Sequence, residues 1–233
     1  MNPQVRTRPL CRIVYDDQRL ASPECELFDE SYWTARDGIR ARKQGRGGAL
    51  VVDAPFGQAV LKRFFRGGQA ARWSRDKYLF NGYERSRSWR EFRLLVRLRE
   101  FGLPVPAPIA AATFRTGLLA RCALLTQHIP ECRTLAEDLR SGGSEEIWFA
   151  AGNTIRRFHD AGLYHADLNL TNILVDNDQG VYLVDFDKSR LQTPRSGWQQ
   201  TNIRRLQRSF TKLAGDLDHN QACWRALLTA YQE

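Results

Sequence analysis

No apolar run in the sequence approaches the roughly 18 to 20 residues that a membrane-spanning helix needs, so no such helix is predicted. The opening residues, MNPQVRTRPLCR, carry arginine with no apolar stretch behind it, and no signal peptide is expected. No internal repeat is apparent. The hydrophobic content of 42% and the charged content of 26% are typical of a soluble globular protein. The 233 residues are enough for a sizeable core in one domain or two lobes.

Cysteine is scarce, and its spacing matches no pairing motif. The five cysteines are an odd number, and no two of them form a C-x-x-C pair. This usage predicts reduced thiols of a cytoplasmic protein rather than a disulfide framework or a zinc site. The residues are Cys11, Cys25, Cys122, Cys132 and Cys223.

Acidic residues are too few to balance the basic ones. The chain has 26 Asp and Glu against 35 Lys and Arg, which gives a net charge of +9. An excess of this size indicates an anionic partner. Nucleic acid, an acidic membrane surface and a polyanionic substrate all satisfy it, and charge alone does not choose among them.

The most informative segment is residues 164–190, which read YHADLNLTNILVDNDQGVYLVDFDKSR. Two short apolar runs, Ile173–Val175 and Val181–Val184, flank a segment with turn chemistry, so they predict a hairpin. The first run follows Asn172 and the second precedes Asp185. One tight turn therefore brings these two side chains to the same end of the hairpin.

Asp167 lies just before this hairpin, and we expect it to share a cavity with Asn172 and Asp185. Phosphoryl transfer needs such a set, because a carboxylate can accept the proton of the attacking hydroxyl and oxygen ligands can hold magnesium. The spacing matches the kinase catalytic loop H-x-D-x-x-x-x-N followed by D-F-x. The structural alternative is that Asp167 and Asn172 cap a turn and Asp185 ends a strand.

Two β-rich runs, Ala49–Val52 and Gln58–Phe65, predict an earlier strand, turn and strand. Glycine before the first run allows backbone amides to approach phosphates closely. The spacing is not that of a full nucleotide loop, and glycine clusters are commonly ordinary turns, so both interpretations stay open. The glycines concerned are Gly45, Gly47 and Gly48.

Lys62 interrupts the apolar side of the second run, where a lysine can reach nucleotide phosphates. The alternative is a surface lysine lying along the sheet. A following amphipathic helix, Arg85–Phe101, carries Glu91 next to its apolar stripe. Glu91 could pair with Lys62 as the helix glutamate of kinases does, or remain a surface residue among arginines.

A second predicted hairpin consists of Ala110–Phe114 and Leu118–His128. It ends where a bilobal nucleotide enzyme has its hinge, so backbone groups around Thr126–Ile129 are candidates for holding adenine. Thr126 and His128 are accordingly assigned to the nucleotide site.

The predicted architecture is α+β with a lobe boundary near residue 130. Residues 1–130 would form an N-terminal lobe with an antiparallel sheet and one helix, and residues 131–233 a mostly helical C-terminal lobe with the catalytic hairpin. Residues 1–30 are expected to be a loosely packed lead-in with one strand at most, and 191–198 a loop. The helices predicted for the second lobe are Leu135–Leu139, Glu145–Ala161, Asn202–Leu217 and Gln221–Tyr231.

The third of these helices has a basic face opposite an apolar one. The basic face is either a solvated surface, which is the default, or a docking surface for an anionic substrate. Its cations are Arg204, Arg205, Arg208 and Lys212.

Five candidate residues follow one another in the chain in the order Lys62, Glu91, Asp167, Asn172 and Asp185. With this order, roughly residues 45–190 resemble members of the protein-kinase-like superfamily. A narrower resemblance, to the 3-deoxy-D-manno-octulosonic acid (Kdo) kinases of Gram-negative lipopolysaccharide synthesis, rests on HADLNLTNIL with LVDFDKSR, AVLKRFFRGG and SWREFRLL.

This resemblance implies ATP- and Mg²⁺-dependent phosphorylation of a Kdo hydroxyl, the 4-hydroxyl in that family, on a lipid A precursor at the cytoplasmic face of the inner membrane. It implies that Lys62 contacts the phosphates and Glu91 positions it. Asp167 would be the catalytic base, with Asn172 and Asp185 as metal ligands.

Several positions depart from the protein-kinase pattern and favour a small or lipid-linked acceptor. Ala166 replaces the arginine that reads a phosphorylated activation loop, and Asn169 replaces the lysine usual in Ser/Thr kinases. Asp187 stands in place of the glycine of D-F-G and is a candidate additional carboxylate near the metal. No A-P-E motif follows.

An acidic glycolipid would be attracted to a surface rich in basic side chains, and neighbouring aromatics could rest at an anionic membrane interface as a peripheral protein does. The basic residues are Arg40, Arg42, Lys43, Arg46, Arg63, Arg66, Arg72, Arg75, Lys77, Arg85, Arg87 and Arg90, and the aromatics Trp73, Tyr78, Phe80 and Tyr83. Three alternatives remain: a heptose kinase of the same pathway, an atypical protein kinase, and a non-catalytic basic scaffold. Nucleic acid is not the expected partner, because a binding role needs none of the five phosphoryl-transfer residues.

Overall fold

The structure is a computed structural model that describes residues 2–43, 48–64, 78–194, 196–215 and 218–233. The chain divides into two compact units. The first consists of Met1–Val96 with Ala107–His128, and the second of Arg97–Pro106 with Ile129–Glu233. Residues 97–106, which the expected division assigns to the N-terminal lobe, therefore belong to the second unit.

The strands of the first unit are β1 (Gln4–Thr7), β2 (Arg12–Tyr15), β3 (Ile39–Lys43), β4 (Ala49–Ala54), β5 (Gly57–Arg63), β6 (Tyr78–Leu79), β7 (Pro108–Thr116) and β8 (Leu119–Gln127). They form an antiparallel sheet with the order β1-β2-β7-β8-β5-β4-β3, and β6 pairs with β8. Among the described residues of this unit, two α-helices accompany the sheet, a single turn α1 (Glu30–Thr34) and the longer α2 (Arg87–Glu100), which runs on into the second unit.

The two hairpins predicted for this unit are confirmed. β4 pairs with β5 through a tight turn that ends at Gly57, whose φ of 100° is accessible to glycine at little cost. β7 pairs with β8 along nearly its whole length, from Pro108 opposite Thr126 to Thr116 opposite Leu119. β8 lies between β5 and β7, so the strand expected to lead to the hinge is central in the sheet.

The interpretation of residues 1–30 as a loose lead-in was wrong. They supply two strands, and β2 pairs with β7 while β1 pairs with β2. Phe28 and Trp33 are buried against the sheet, and the Trp33 indole N–H donates to the carbonyl of Leu27 at 2.9 Å. The strands are only four residues long, and β2 finds its sheet partner about a hundred residues later, so local periodicity gave little signal.

The expectation of reduced thiols was wrong for two cysteines. Cys11 and Cys25 form a disulfide within the core of the first unit, where both are buried. Cys122, Cys132 and Cys223 retain their thiols. An odd count without close spacing carries no pairing information, and the two cysteines meet only in the folded core, in the buried cluster that also contains Ile13, Leu27 and Phe28.

The second unit is mostly helical, as predicted. Its elements are β9 (Arg133–Thr134), α3 (Leu135–Arg140), α4 (Glu145–Asp160), β10 (Leu163–Tyr164), β11 (Ile173–Val175), β12 (Val181–Leu183), β13 (Arg190–Leu191), α5 (Ser196–Ala214) and α6 (Asp218–Gln232). The strands form a three-stranded sheet of order β12-β11-β9 and a two-stranded pair β10-β13. The α+β kinase-like prediction is therefore confirmed in its main features.

The helices of the second unit show why their boundaries lie where they do. α3 begins with a capping box between Thr134 and Glu137. α4 packs so closely on α6 that a Cβ at position 152 would lie 2.2 Å from the carbonyl oxygen of Leu227, and the absence of a side chain at Gly152 allows this approach. α5 begins at Ser196, inside the segment expected to be a loop: Gly197 lies in its first turn, where glycine is tolerated, rather than ending it.

Within the described part of the chain, no helix combines the length and the apolar character that crossing a bilayer requires.

Candidate active site

The β11–β12 hairpin is confirmed and sets the position of two candidate ligands. Ile173 pairs with Leu183, and the backbone N–H of Val184 donates to the carbonyl of Asn172 at 3.0 Å. Asn172 therefore lies across the hairpin from the residue that precedes Asp185. The two side chains start from the same end of the hairpin.

Asp167 is tied to this end through its backbone. The side-chain amide of Asn172 donates to the Asp167 carbonyl at 2.9 Å, and the side-chain amide of Asn169 donates to the same oxygen at 3.0 Å. Asn169 also accepts from the N–H of Thr171 at 2.9 Å. Because the Asn172 nitrogen is used in this way, its Oδ1 is the atom left to act as an acceptor or metal ligand.

His165 fastens the loop to the hairpin from behind. It is buried, its Nδ1 accepts from the backbone N–H of Asp167 at 3.2 Å, and its Nε2 lies 3.1 Å from the carbonyl of Val184. A backbone N–H can only donate, so Nδ1 is the acceptor and Nε2 carries the proton that Val184 receives. This arrangement orients the loop, and both ring nitrogens are occupied by backbone groups.

Asp185 has an unusual backbone, with φ at 64°. Left-handed geometry costs a non-glycine residue of order 1 kcal/mol and persists where the surroundings enforce it. The next residue, Phe186, is buried and packs on the rings of Phe158 and His165, with centroids 6.3 and 5.2 Å away. Packing of Phe186 therefore fixes the turn that presents Asp185.

The oxygen donors at this end suit Mg²⁺. Asn172 Oδ1 and the exposed Asp185 carboxylate are hard ligands, and half-buried Asp187 follows two residues later. The described residues contain no cluster of three or more His, Cys, Asp or Glu side chains able to hold a metal. Mg²⁺ needs none, since it is commonly held by one or two protein oxygens together with substrate phosphates and water.

Helix α5 supports the catalytic loop through three side chains that sequence reasoning did not assign to it. Fully buried Asn202 accepts from the His165 N–H at 3.0 Å and donates to the His165 carbonyl at 2.9 Å. Arg205 donates to Asp167 Oδ1 at 3.0 Å, and the Ser209 hydroxyl accepts from the Leu170 N–H at 3.2 Å.

Residues three, four and seven positions apart on a helix share a face, so one face of α5 contacts the loop from its beginning to its end. The signal in the sequence was a buried-side asparagine between apolar positions, which a pattern of hydrophobic residues does not interpret.

A buried histidine extends this support to α4 and α6. His159 Nε2 lies 3.3 Å from Asn202 Oδ1 and its Nδ1 lies 2.7 Å from the hydroxyl of Tyr231. Burial lowers the pKa of His159 to about 4, against the weaker opposing effect of Asn202. Burial likewise raises the pKa of Tyr231. Both groups are therefore neutral at physiological pH, and His159 has a structural role.

In the first unit, Lys62 and Glu91 form the predicted pair. The Lys62 ammonium lies 2.9 and 2.8 Å from the two carboxylate oxygens of Glu91. Only 4% of the Glu91 side chain is exposed, against 22% for Lys62, so the acid is held inside and the lysine reaches it from β5. Buried Ser88, one turn earlier on α2, donates to the carbonyl of Ala112 and fixes the helix to the sheet.

The glycine positions are partly described. Gly48 is exposed before β4 with φ at 53°, a conformation that favours glycine. Gly47 and several other predicted positions lie outside the described residues; these are Gly45, Arg46, Arg66, Arg72, Trp73, Arg75 and Lys77.

The hinge amides are already used. Half-buried Thr126 lies in β8, paired on both sides, and the N–H of Gln127 donates to the Ala107 carbonyl at 2.8 Å. The N–H of His128 donates to the carbonyl of Gln58 at 3.0 Å. Adenine recognition by the N–H of Gln127 or His128 would therefore have to replace a hydrogen bond within the sheet.

Comparison with known proteins finds a matching family and close relatives. The model of the lipopolysaccharide kinase (Kdo/WaaP) family matches residues 30–231. A 3-deoxy-D-manno-octulosonic acid kinase from Xanthomonas oryzae pv. oryzae is 47% identical over 207 residues, 88% of this chain and 82% of that protein. One from Stenotrophomonas maltophilia is 44% identical over 212 residues, 90% of this chain and 84% of that protein.

Proposed function

Since the chain belongs to the lipopolysaccharide kinase (Kdo/WaaP) family, we propose that it transfers the γ-phosphoryl group of ATP to Kdo in a Kdo-lipid A acceptor, at the 4-hydroxyl. Family membership makes it a phosphotransferase with an alcohol group as acceptor. The observation that carries the choice of sugar is the name shared by relatives that align with nearly nine-tenths of the chain.

Asp167 is the proposed catalytic base. Its side chain is 59% exposed, and Arg205 occupies Oδ1. The other carboxylate oxygen, Oδ2, is then the atom that receives the proton of the acceptor hydroxyl as the oxygen attacks phosphorus. Holding Oδ1 restricts rotation of the carboxylate and so directs Oδ2, which is the geometric requirement of a general base.

Asn172 Oδ1 and Asp185 are the proposed ligands of Mg²⁺, with Asp187 as a candidate third oxygen donor. When bound, the ion neutralises charge on the phosphates during transfer. The protein contributes the fixed positions of its ligands. The Asn172 amide is locked on the Asp167 carbonyl, and packing of Phe186 fixes the backbone of Asp185.

Lys62 is the proposed contact to the ATP phosphates, with Glu91 holding it in place. The buried Glu91 carboxylate in contact with the ammonium holds that lysine extended, which suits phosphate binding. Gly47 and Gly48 are proposed to approach the phosphates through their backbone amides, and Thr126 and His128 to border the adenine.

We further propose peripheral association with the cytoplasmic face of the inner membrane, supported by the net charge of +9. Flotation with anionic vesicles at low salt tests this. Failure to float, in a protein that still phosphorylates a lipid-linked acceptor, would contradict it.

The test of the activity is an acceptor panel. The protein is incubated with ATP, Mg²⁺ and either a Kdo-lipid A precursor or a heptosylated core, and products are identified by mass and by fragmentation of the sugar. We expect one phosphate on Kdo. Phosphate on heptose alone would instead support the heptose kinase alternative, and autophosphorylation alone a protein kinase. The position of the phosphate on the ring, read by NMR, decides the 4-hydroxyl.

A further inference from the structure

Helix α5 carries a row of cations that begins at the candidate base. The row consists of Arg205, Arg208 and Lys212. Arg208 lies three residues and Lys212 seven residues after Arg205, so the three side chains project in similar directions along about 10 Å of the helix. Arg205 touches Asp167, while Arg208 and Lys212 are exposed. The row therefore runs away from the catalytic loop along one solvent-facing edge.

This edge is not an ordinary solvated helix face. Surface helices commonly mix the two charge signs so that cations are balanced by carboxylates, yet α5 (Ser196–Ala214) contains no Asp or Glu. Among the residues that the structure describes, no carboxylate forms an ion pair with Arg208 or Lys212. Like charges this close repel each other, a small cost that an anionic ligand would remove.

Basic residues expected to attract the acceptor in the first unit are different. Arg42 and Arg63 both pair with Glu30, at 2.6 and 2.9 Å, and Arg40 pairs with Asp53. Their charges are partly neutralised within the protein, so they attract an acceptor less than their number suggests.

The acceptor must lie beside this row. Its hydroxyl has to come within hydrogen-bonding distance of Asp167 to lose a proton, and Arg205 is already in contact with that carboxylate. Arg204, the remaining cation of α5, lies one turn before Arg208 and beside the row, and it also lines an open cavity of about 530 Å³ together with Arg156 and Asp160.

We infer that Arg208 and Lys212, continuing from Arg205, bind the negatively charged groups of the glycolipid acceptor. This inference rests on the proposed function and names the surface that recognises its substrate. Arg205 receives the acceptor group nearest the reacting hydroxyl, and the two exposed cations hold carboxylate or phosphate groups further from it. Arginine and lysine bind such groups through charge-assisted hydrogen bonds.

The test compares single charge reversals in the full-length protein. Arg208→Glu and Lys212→Glu are measured against Arg225→Glu, which makes the same change at an exposed position of α6, outside the row. Steady-state phosphorylation of a Kdo-lipid A precursor in detergent micelles gives separate KM values for acceptor and ATP. Equilibrium binding of the same glycolipid without ATP gives a Kd that does not depend on catalysis.

We expect Arg208→Glu and Lys212→Glu to raise the acceptor KM and Kd at least about tenfold, with the KM for ATP and kcat within about twofold. Arg225→Glu should stay within about twofold in every quantity. Acceptor binding unchanged in the first two variants, or weakened equally in Arg225→Glu, would overturn the inference.

Two further outcomes separate it from neighbouring ideas. If Arg208→Glu weakens binding to vesicles of phosphatidylglycerol without acceptor as much as binding to the glycolipid, the row is a general membrane surface and the inference is wrong. If the wild-type protein leaves Kdo unphosphorylated while glycolipid binding still depends on Arg208 and not on Arg225, the proposed activity fails and the binding surface stands.

Discussion

Replacing Asn202 by alanine tests whether α5 holds the catalytic loop in place. The Asn202 side chain is fully buried and makes two hydrogen bonds to the backbone of His165, at 3.0 and 2.9 Å. Its Oδ1 also lies 3.3 Å from His159 Nε2. Asn202→Ala leaves the N–H and the carbonyl of His165 without these partners.

The size of the effect follows from the number of groups left unsatisfied. Each buried backbone group that loses its hydrogen bond costs about 1 to 3 kcal/mol, so two of them lower the free energy of unfolding by about 2 to 6 kcal/mol. Because Asp167 is two residues from His165, its carboxylate loses its fixed position. A shift on the order of 1 Å at a reacting group lowers kcat by about a hundredfold.

Urea unfolding followed by circular dichroism measures the first quantity, and steady-state kinetics on the folded variant measures the second. Gln207→Ala is the matched control, since Gln207 is exposed on the same helix, and its stability should stay within about 0.5 kcal/mol of wild type. Asn202→Asp retains an acceptor for the His165 N–H but loses the donor to the His165 carbonyl. Its kcat should therefore fall between that of wild type and that of Asn202→Ala.

The reasoning is refuted if two results are found together for Asn202→Ala. These are a free energy of unfolding within about 1 kcal/mol of wild type and a kcat within about threefold of wild type. Together they would mean that the loop holds its geometry without α5.

Three further predictions concern other parts of the chain. Lys62→Ala should lower the free energy of unfolding by about 3 to 5 kcal/mol, because it removes the ammonium that lies against both oxygens of the buried Glu91 carboxylate; Lys62→Ala together with Glu91→Gln should recover part of this loss in urea unfolding, and no recovery would contradict the ion-pair explanation. His159 has a folded-state pKa of about 4, below the ordinary value of 6.5, so the unfolded chain binds the extra proton and stability should fall by about 3 kcal/mol as pH drops from 6.5 to 4; a His159→Gln variant with the same slope would exclude this cause. Replacing both Cys11 and Cys25 by serine should cost about 3 kcal/mol through loss of a closed loop, and a reductant should then have no further effect on the double variant, whereas continued sensitivity would place the effect elsewhere.

The candidate site was predictable where its geometry is local. Asp167, Asn172 and Asp185 lie within one loop and one hairpin, so turn chemistry and apolar runs were enough to bring them together. The Lys62–Glu91 pair was predictable for a related reason. A cation on the buried side of a strand and an acid next to the apolar stripe of a helix each need a partner away from water.

What sequence reasoning missed depends on contacts between distant segments. Asn202, Arg205 and Ser209 reach the catalytic loop only because α5 packs beneath it, and their residue types form no motif. The hydrophobic pattern of α5 predicted a helix and a buried face but could not identify what that face contacts. The same limit applies to β2, whose partner β7 is remote in the chain, and to the disulfide that this packing makes possible.

In the proposed reaction, Asp167 takes the proton of a Kdo hydroxyl during transfer from ATP. The most direct test is single-turnover transfer of labelled γ-phosphate to a Kdo-lipid A precursor by wild type and by Asp167→Asn, with Asp178→Asn in the exposed hairpin turn as control. We expect Asp167→Asn to slow transfer by about a hundredfold to ten-thousandfold while ATP binding is retained, and Asp178→Asn to transfer at the wild-type rate. Transfer by Asp167→Asn at the wild-type rate would contradict this proposal.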